Sequence, residues 1–237
     1  MLRNKSLTKL NIVFIFQYFL NIVLGVNLLS HSSEAFDPYP YNPNIHSIGN
    51  HGFMGKIHAE LAPVFTHFTD RVVYKENLRE RIIEMLDPTK KKSVLDIGCG
   101  VGYSTSMSPG SLGIDTSAPM IDKARRLFPD KSFTVAHGEN WEPDKAYDIV
   151  TAMFCFHEIP RVSRQNIIEK CMKYVKERLI IIDISPDYTP NKFMLAGEPY
   201  LPDYLEHIRE DLADFEEQVL FKDHVHMWYI NVAKPCY

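Results

Sequence analysis

The residues best suited to chemistry gather in one stretch, Val94-Leu95-Asp96-Ile97-Gly98-Cys99-Gly100-Val101-Gly102. An apolar run ends in three glycines at alternate positions, where a chain without side chains can turn tightly and bring its amides against a ligand. Asp115 closes the next short apolar run, 112–115. An acid at the tip of a neighbouring strand can accept hydrogen bonds from both hydroxyls of a ribose. A glycine repeat alone is weak evidence, and a glycine turn in an unrelated α/β protein is the bland alternative. Its place after a strand, ahead of an acid on the next strand, makes the pattern specific. Further along, His157 and Glu158 follow the apolar stretch 147–154. Imidazole titrates near neutrality and suits proton transfer, with Glu158 as the alternative base. The competing reading is that the His-Glu pair begins and caps the following helix.

These residues need a scaffold, and the hydrophobic periods supply one. Phe53, Ile57, Leu61, Val64, Phe65 and Phe68 recur at three- and four-residue steps, which predicts a helix kinked or restarted at Pro63. Leu78, Ile82, Ile83 and Leu86 predict a second helix, stopped by Asp87-Pro88. Strands are then expected over 93–97, 112–115, 133–136, 147–154 and 178–184, with helices over 119–128, 164–175 and 201–215. Two alternating stretches, 218–222 and 226–232, close the chain. The alternation predicts an α/β fold: a doubly wound, mostly parallel, seven-stranded sheet with an antiparallel edge strand, preceded by a helical N-terminal segment. The divisions expected are a targeting segment or signal anchor over 1–35, a linker and lid helix over 36–75, and the main domain over 76–237.

VLDIGCGVG resembles motif I of the class I S-adenosylmethionine-dependent methyltransferases and is distinct from the GxGxxG spacing of NAD enzymes. The resemblance continues through GIDTSAPMIDKAR, HGENWEP and AYDIVTAMFCFHEIP, in the family's order, over roughly residues 75–185. It implies a Rossmann-like methyltransferase with S-adenosylmethionine as cofactor. The loop of Gly98, Cys99, Gly100 and Gly102 would face the methionine end, with Asp96 steadying it and Phe154 offering its carbonyl to the methionine amine. Asp115 would bind the ribose, followed by Thr116 and Met120. Glu139, with Asn140 beside it, would face the adenine amine. Two departures stand out. Residues 103–114 are short, polar and broken by Pro109 where the family has a full amphipathic helix, so that helix is expected to shrink to a turn or two. Glu139 replaces the commoner Asp and is one methylene longer.

For acceptor binding the sequence offers His157 as the catalytic group and, around it, His58, Tyr74, Glu158, Tyr188 and Met194. His46, His51, His58, His67, Tyr39, Tyr41 and Tyr74 are dense for a linker and helix pair; the resemblance implies a helical N-terminal lid folded over the cofactor, and a surface helix with scattered histidines is the equal alternative. The proline-rich loop 185–202 lies where acceptor recognition is expected and carries Phe193 and Glu198 as well as Tyr188 and Met194. No histidine pair has metal-ligand spacing with an acidic partner, so no metal is expected. Trp228 and Tyr229 are expected to pack the sheet edge. The four cysteines, Cys99, Cys155, Cys171 and Cys236, form no CxxC pair and read as free thiols.

Composition narrows the partners. The 237 residues carry 26 basic and 30 acidic groups, a net charge of −4. Arg3, Lys5 and Lys9 precede a mostly apolar stretch over 10–29, and Ser33 and Ala35 sit where a small-residue cleavage site falls. This order predicts delivery into the secretory pathway, and Ala35-Phe36 resembles the bipartite presequence of algae with secondary plastids. Residues 10–29 are also long enough for an uncleaved membrane anchor, although Asn11, Gln17, Asn21 and Asn27 make a permanent span costly. Removing residues 1–35 leaves 23 basic and 29 acidic groups, net −6. No nucleic-acid partner is expected of such a body, and membrane contact is expected only through the N-terminal segment. The favoured reading is methyl transfer to a small molecule, with oxygen slightly ahead as the accepting atom. The alternatives are a protein or RNA methyltransferase and a non-catalytic module that keeps the cofactor fold. AMFCFHE stands where amino-group methyltransferases carry an Asn-Pro-Pro-Tyr type of motif, which counts against that chemistry. Oligomeric state is left open.

Overall fold

The computed structural model describes residue 41 and residues 49–232. The expected targeting segment or anchor, most of the linker after it, and Cys236 lie outside the described residues. Helix α1 spans Gly52–Phe68 and runs through Pro63 as one element, and Thr69–Tyr74 then winds into a π-helical turn. Lys75, left-handed at φ 60, ends that turn. Helix α2, Leu78–Leu86, ends at Asp87 as its Asp-Pro stop predicts. Next come β1 (Val94–Ile97), β2 (Leu112–Asp115), α3 (Ala118–Leu127), β3 (Phe133–Val135) and β4 (Tyr147–Met153). A 3-10 turn over Phe156–Glu158 leads to α4 (Arg161–Tyr174), β5 (Val175–Ile184), α5 (Lys192–Gly197), α6 (Leu201–Asp211), β6 (Glu216–Phe221) and β7 (Val225–Asn231). Helix α5 lies inside what the sequence presents as a loop.

The seven strands are ordered β3-β2-β1-β4-β5-β7-β6. The first five pair in parallel, and β7 pairs antiparallel with both β5 and β6. The antiparallel strand is therefore one in from the edge, and β6 forms the edge itself. Period-two alternation divides the core between the two faces. Leu95, Ile97, Val150, Ala152, Leu179, Ile181 and Trp228 meet Ile167 and Cys171 of α4 and Tyr204 and Ile208 of α6. Val94, Ile149, Met153, Ile180, Ile182 and Met227 meet Leu78 and Ile82 of α2 on the other side. Trp228 is buried in the main core instead of at the expected sheet edge, because β7 is one strand in from the edge. Tyr229 reaches the edge strand, its hydroxyl donating to Glu216, and Cys99, Cys155 and Cys171 are free thiols.

The expected short helix after the glycine bend is absent, since residues 103–111 are turns and bends. Their hydroxyls explain this. Ser104 and Thr105 donate to Asp96, Ser108 donates to Asp87, and Ser111 accepts from the Val94 amide. Side chains that bond to distant carboxylates compete with helix formation. Helix α1 covers part of the space instead: Ala59 packs with Val101 and Met120 on α3, and His67 meets the Tyr103 ring edge-on at 5.3 Å. Glu60 ties α1 to α3 by ion pairs to Lys123 and Arg126.

Candidate functional site

A cavity of about 200 Å³ opens at the carboxyl ends of β1, β2 and β4. Gly98, Cys99, Gly100, Asp115, Thr116, Met120 and Phe154, all expected from the sequence, line it. Backbone conformation sets the bend. Gly98 has φ 70, and a Cβ there would lie 2.6 Å from the Cys155 sulfur. Gly100 has φ 51, and a Cβ on it would project into open space on the cavity wall. The bend thus leaves a main-chain cradle that only glycine keeps clear.

Asp115 locks the cradle to β2. Its Oδ2 accepts from the Gly100 amide at 2.8 Å and its Oδ1 from the Ser117 amide at 2.8 Å. An ionised carboxylate has about four acceptor positions, so about two remain for donors from a ligand. Burial raises the Asp115 carboxyl to about 6, against the pull of those two amides. Asp96 lies beneath the bend, fully buried and off the cavity wall. Ser104 and Thr105 donate to its Oδ2 at 2.8 and 2.7 Å, and Thr151 to its Oδ1 at 3.3 Å. Burial raises Asp96 above the usual carboxylate range while these hydroxyls oppose the shift. Its place is that of a brace for the loop.

Other expected cofactor residues stand back from the cavity. Gly102 packs beneath the Phe133 ring. Asn140 is exposed, and Glu139 is held away from the wall by Tyr41, which donates to it at 2.7 Å, and by Asn166 at 2.9 Å. Burial would raise Glu139, but the Asn166 and Tyr41 donors, joined by Ser163 and the nearby His137, hold the carboxyl below its ordinary value. The neighbouring Gly138 and Tyr41 take the cavity wall instead.

Helix α1 and the residues just before it form one side of the cavity, where the sequence predicts a lid. Asn50, His58, Ala62 and Thr66 line the cavity, and His58 is buried against the Gly49 carbonyl at 3.3 Å. Among the described residues the Asn50 Oδ1 atom is buried without a hydrogen-bond partner, which leaves an acceptor aimed at no protein donor. Arg79 of α2 also reaches the wall, its guanidinium 4.6 Å over the Phe154 ring, and pairs with Asp70 at 3.1 Å. Neither Asn50 nor Arg79 belongs to a sequence motif. Cys155 lines the cavity too, but burial pushes its thiol well above the ordinary value, so it is no nucleophile at neutral pH.

Phe154 turns the chain at the end of β4. It holds φ 56, a left-handed conformation that is strained for a bulky residue, while its amide donates to Ile182 at 2.8 Å. The 3-10 turn that follows hangs on Asp183, at the end of β5. Asp183 accepts from the amides of Phe156 and His157 at 2.8 and 3.2 Å and from the His157 ring Nδ1 at 2.6 Å. His157 therefore begins no long helix. Burial favours its neutral ring, yet the Asp183 carboxylate prevails and raises the imidazole to about 9. Glu158, not His157, forms the cavity wall, with Oε1 3.7 Å from His157 Nε2. Three expected acceptor residues are elsewhere: Tyr74 packs on Phe221, Tyr188 faces His224 edge-on, and Met194 is buried in the core.

Comparison with known proteins agrees with this geometry. The family model described as "Methyltransferase domain" matches residues 94–178. A putative methyltransferase 235L of Invertebrate iridescent virus 6 is 30% identical over 153 residues, covering 56% of this chain and 57% of that one. The trans-aconitate 2-methyltransferase of Afipia carboxidovorans is 33% identical over 85 residues, a third of each chain. The chain thus spans between a third and little more than half of the length of these relatives. Among solved structures, the magnesium protoporphyrin IX methyltransferase of Synechocystis, with bound SAH, superposes with TM-score 0.52 at 17% identity, over 70% of this chain and 86% of that one. A TehB-like SAM-dependent methyltransferase of Corynebacterium glutamicum gives TM-score 0.50 at 14% identity, over 73% and 97%. The chain has the fold of the class I methyltransferases, and its residues 94–178 match the methyltransferase-domain family model.

Proposed function

We propose that this chain transfers a methyl group from S-adenosylmethionine to an oxygen of a small-molecule acceptor. One observation carries the reading: the side-chain-free bend at Gly98–Gly100 and the Asp115 carboxylate face the same cavity at the sheet's carboxyl edge. The cofactor supplies an electrophilic methyl on its sulfonium. The chain's residues have to hold the nucleoside, align the acceptor and exclude water. Asp115 accepts from the ribose hydroxyls with its remaining lone pairs, and the Gly100 main chain lies along the cofactor with no side chain between. Asn50, on the lid beside Ser117, is placed to accept one further hydrogen bond from the bound nucleoside. Helix α1 shields one side of the cavity through His58, Ala62 and Thr66.

A hydroxyl acceptor must also lose a proton, and we place that loss at the corner formed by Glu158 on the wall and the His157–Asp183 pair behind it. The ring is charged at neutral pH when nothing else binds Nε2, so His157 must shed its proton before it serves as the base expected from the sequence. The acidic body supports a small-molecule acceptor over a nucleic acid, as do the trans-aconitate and magnesium protoporphyrin enzymes among its relatives.

Incubation with methyl-labelled cofactor and fractionated extract tests the reading. Label is expected in the small-molecule fraction. Label in the protein or RNA fraction overturns the acceptor class, and failure to bind S-adenosylmethionine in calorimetry overturns methyl transfer altogether. The N-terminal segment supports delivery through the secretory pathway, with a plastid as the destination we propose; imaging of a fluorescent fusion that stays in the cytosol would refute it.

A further inference from the structure

Behind the cavity wall, one nitrogen and two carboxyl groups converge from separate parts of the chain. The ligand atoms of His157, Glu158 and Glu198 all lie within 4.8 Å of one another. His157 and Glu198 are buried, and Glu158 also borders the cavity. Asp183 stands on the far side of the imidazole and bonds its Nδ1 at 2.6 Å, which leaves Nε2 turned toward Glu158. The 3.7 Å between Nε2 and the Glu158 oxygen is too long for a hydrogen bond. Donor atoms at about 2.0–2.2 Å from a common ion stand about 3–3.5 Å apart, so the widest separation, up to 4.8 Å, closes by about 1.3–1.8 Å, less than about one ångström per donor when both move. A histidine whose second nitrogen is fixed by a carboxylate is the arrangement that orients imidazole ligands in metal sites.

We propose that His157, Glu158 and Glu198 bind a divalent transition-metal ion, oriented by Asp183. The donor set, one imidazole and two carboxylates without thiolate, suits zinc or manganese better than magnesium, which prefers oxygen alone. Three protein ligands leave a position open, and Glu158 places that position toward the cavity. The ligand class for the open position is an oxygen donor, a hydroxyl or carboxylate of the acceptor. Local spacing conceals the site, because its ligands come from the turn after β4 and the segment after α5. The site is argued from these side chains and does not depend on cofactor binding, but it shares His157 and Glu158 with the proposed proton-transfer corner; an ion on Nε2 takes the place of the histidine as base there.

The full chain, freed of metal by chelation, would be dialysed against Zn²⁺ or Co²⁺, with bound metal measured directly and the Co²⁺ visible spectrum recorded. About one equivalent is expected, with affinity weakened about ten- to a hundredfold in Asp183→Asn. Glu198→Gln, outside the turn that Asp183 braces, is expected to weaken binding at least about tenfold. Its thermal melt shows whether it folds, and it carries the test if Asp183→Asn does not fold. Less than about a tenth of an equivalent bound, or binding unchanged in folded Glu198→Gln, overturns the proposal. S-adenosylhomocysteine titrated into the metal-free protein separates the two readings. Nucleoside binding without any metal binding sinks the metal site alone, and metal binding without nucleoside binding sinks the methyltransferase reading alone.

Discussion

Asp115 gives the sharpest test of the cofactor site, because its affinity for a proton and its role toward a ribose pull in opposite directions. Burial raises the carboxyl from its ordinary value of 3.8 to about 6, while a ribose hydroxyl donates best to the ionised form. The sign follows. Below about pH 6 the empty site takes up a proton, binding must expel it, and affinity falls; above about pH 6 the carboxylate is ready and affinity is flat. If only the ionised form binds, the apparent Kd rises roughly tenfold per pH unit below that value, so about tenfold between pH 7 and pH 5. Folding runs the other way. A carboxyl whose folded value exceeds its unfolded one stabilises the empty protein most at low pH, and that contribution is lost as pH rises through about 6. The assay is calorimetric titration with S-adenosylhomocysteine across this range, in wild type and in Asp115→Asn. The amide cannot ionise and loses a charged hydrogen bond, so it is expected to bind about 1–3 kcal/mol more weakly at neutral pH, without this acid-side slope. His58 also lines the cavity, and the variant corrects for any titration there. An equal slope in both proteins, or unweakened binding in Asp115→Asn, refutes the assignment of Asp115 to the ribose.

Gly100→Ala places a methyl group in the cradle at φ 51, so cofactor affinity should fall by tenfold or more while stability drops only about 1 kcal/mol; calorimetry and urea melts read the two separately. Replacing Thr105 by Val removes one of three hydroxyls from buried Asp96 and should cost about 1–3 kcal/mol of stability by chemical denaturation. For His157→Gln a large loss of turnover with cofactor affinity retained is expected, and unchanged turnover would remove the histidine from the acceptor's proton path. Asn50→Ala should weaken nucleoside binding by about 1 kcal/mol, since its buried oxygen gains a donor only from a ligand; equal Kd values would show that the lid amide faces nothing.

The two halves of the site are written into the chain differently. The cofactor half is local: an apolar run, glycines at the bend and an acid on the following strand lie within 22 residues of one another, from Val94 to Asp115, so the sequence alone exposes them. Residues 103–111 defeat the same reading, because their hydroxyls bond to Asp96 and Asp87, partners no periodicity discloses. The acceptor half depends on register. Met153 pairs with Ile182, which sets Asp183 beside the turn carrying His157, and the connection after β5 returns Glu198 to that turn. Tyr188 and Met194, in the same connection, pack elsewhere, Tyr188 edge-on against His224 and Met194 in the core. Arg79 and Asn50 reach the wall through the packing of α2 and the lid, again without a local signature. Encoding of this kind separates the functions physically. Changes in residues 185–200 alter what meets Glu158 but touch neither the Gly98–Gly100 bend nor Asp115, so under the proposed function acceptor preference would change while the nucleoside site stays intact.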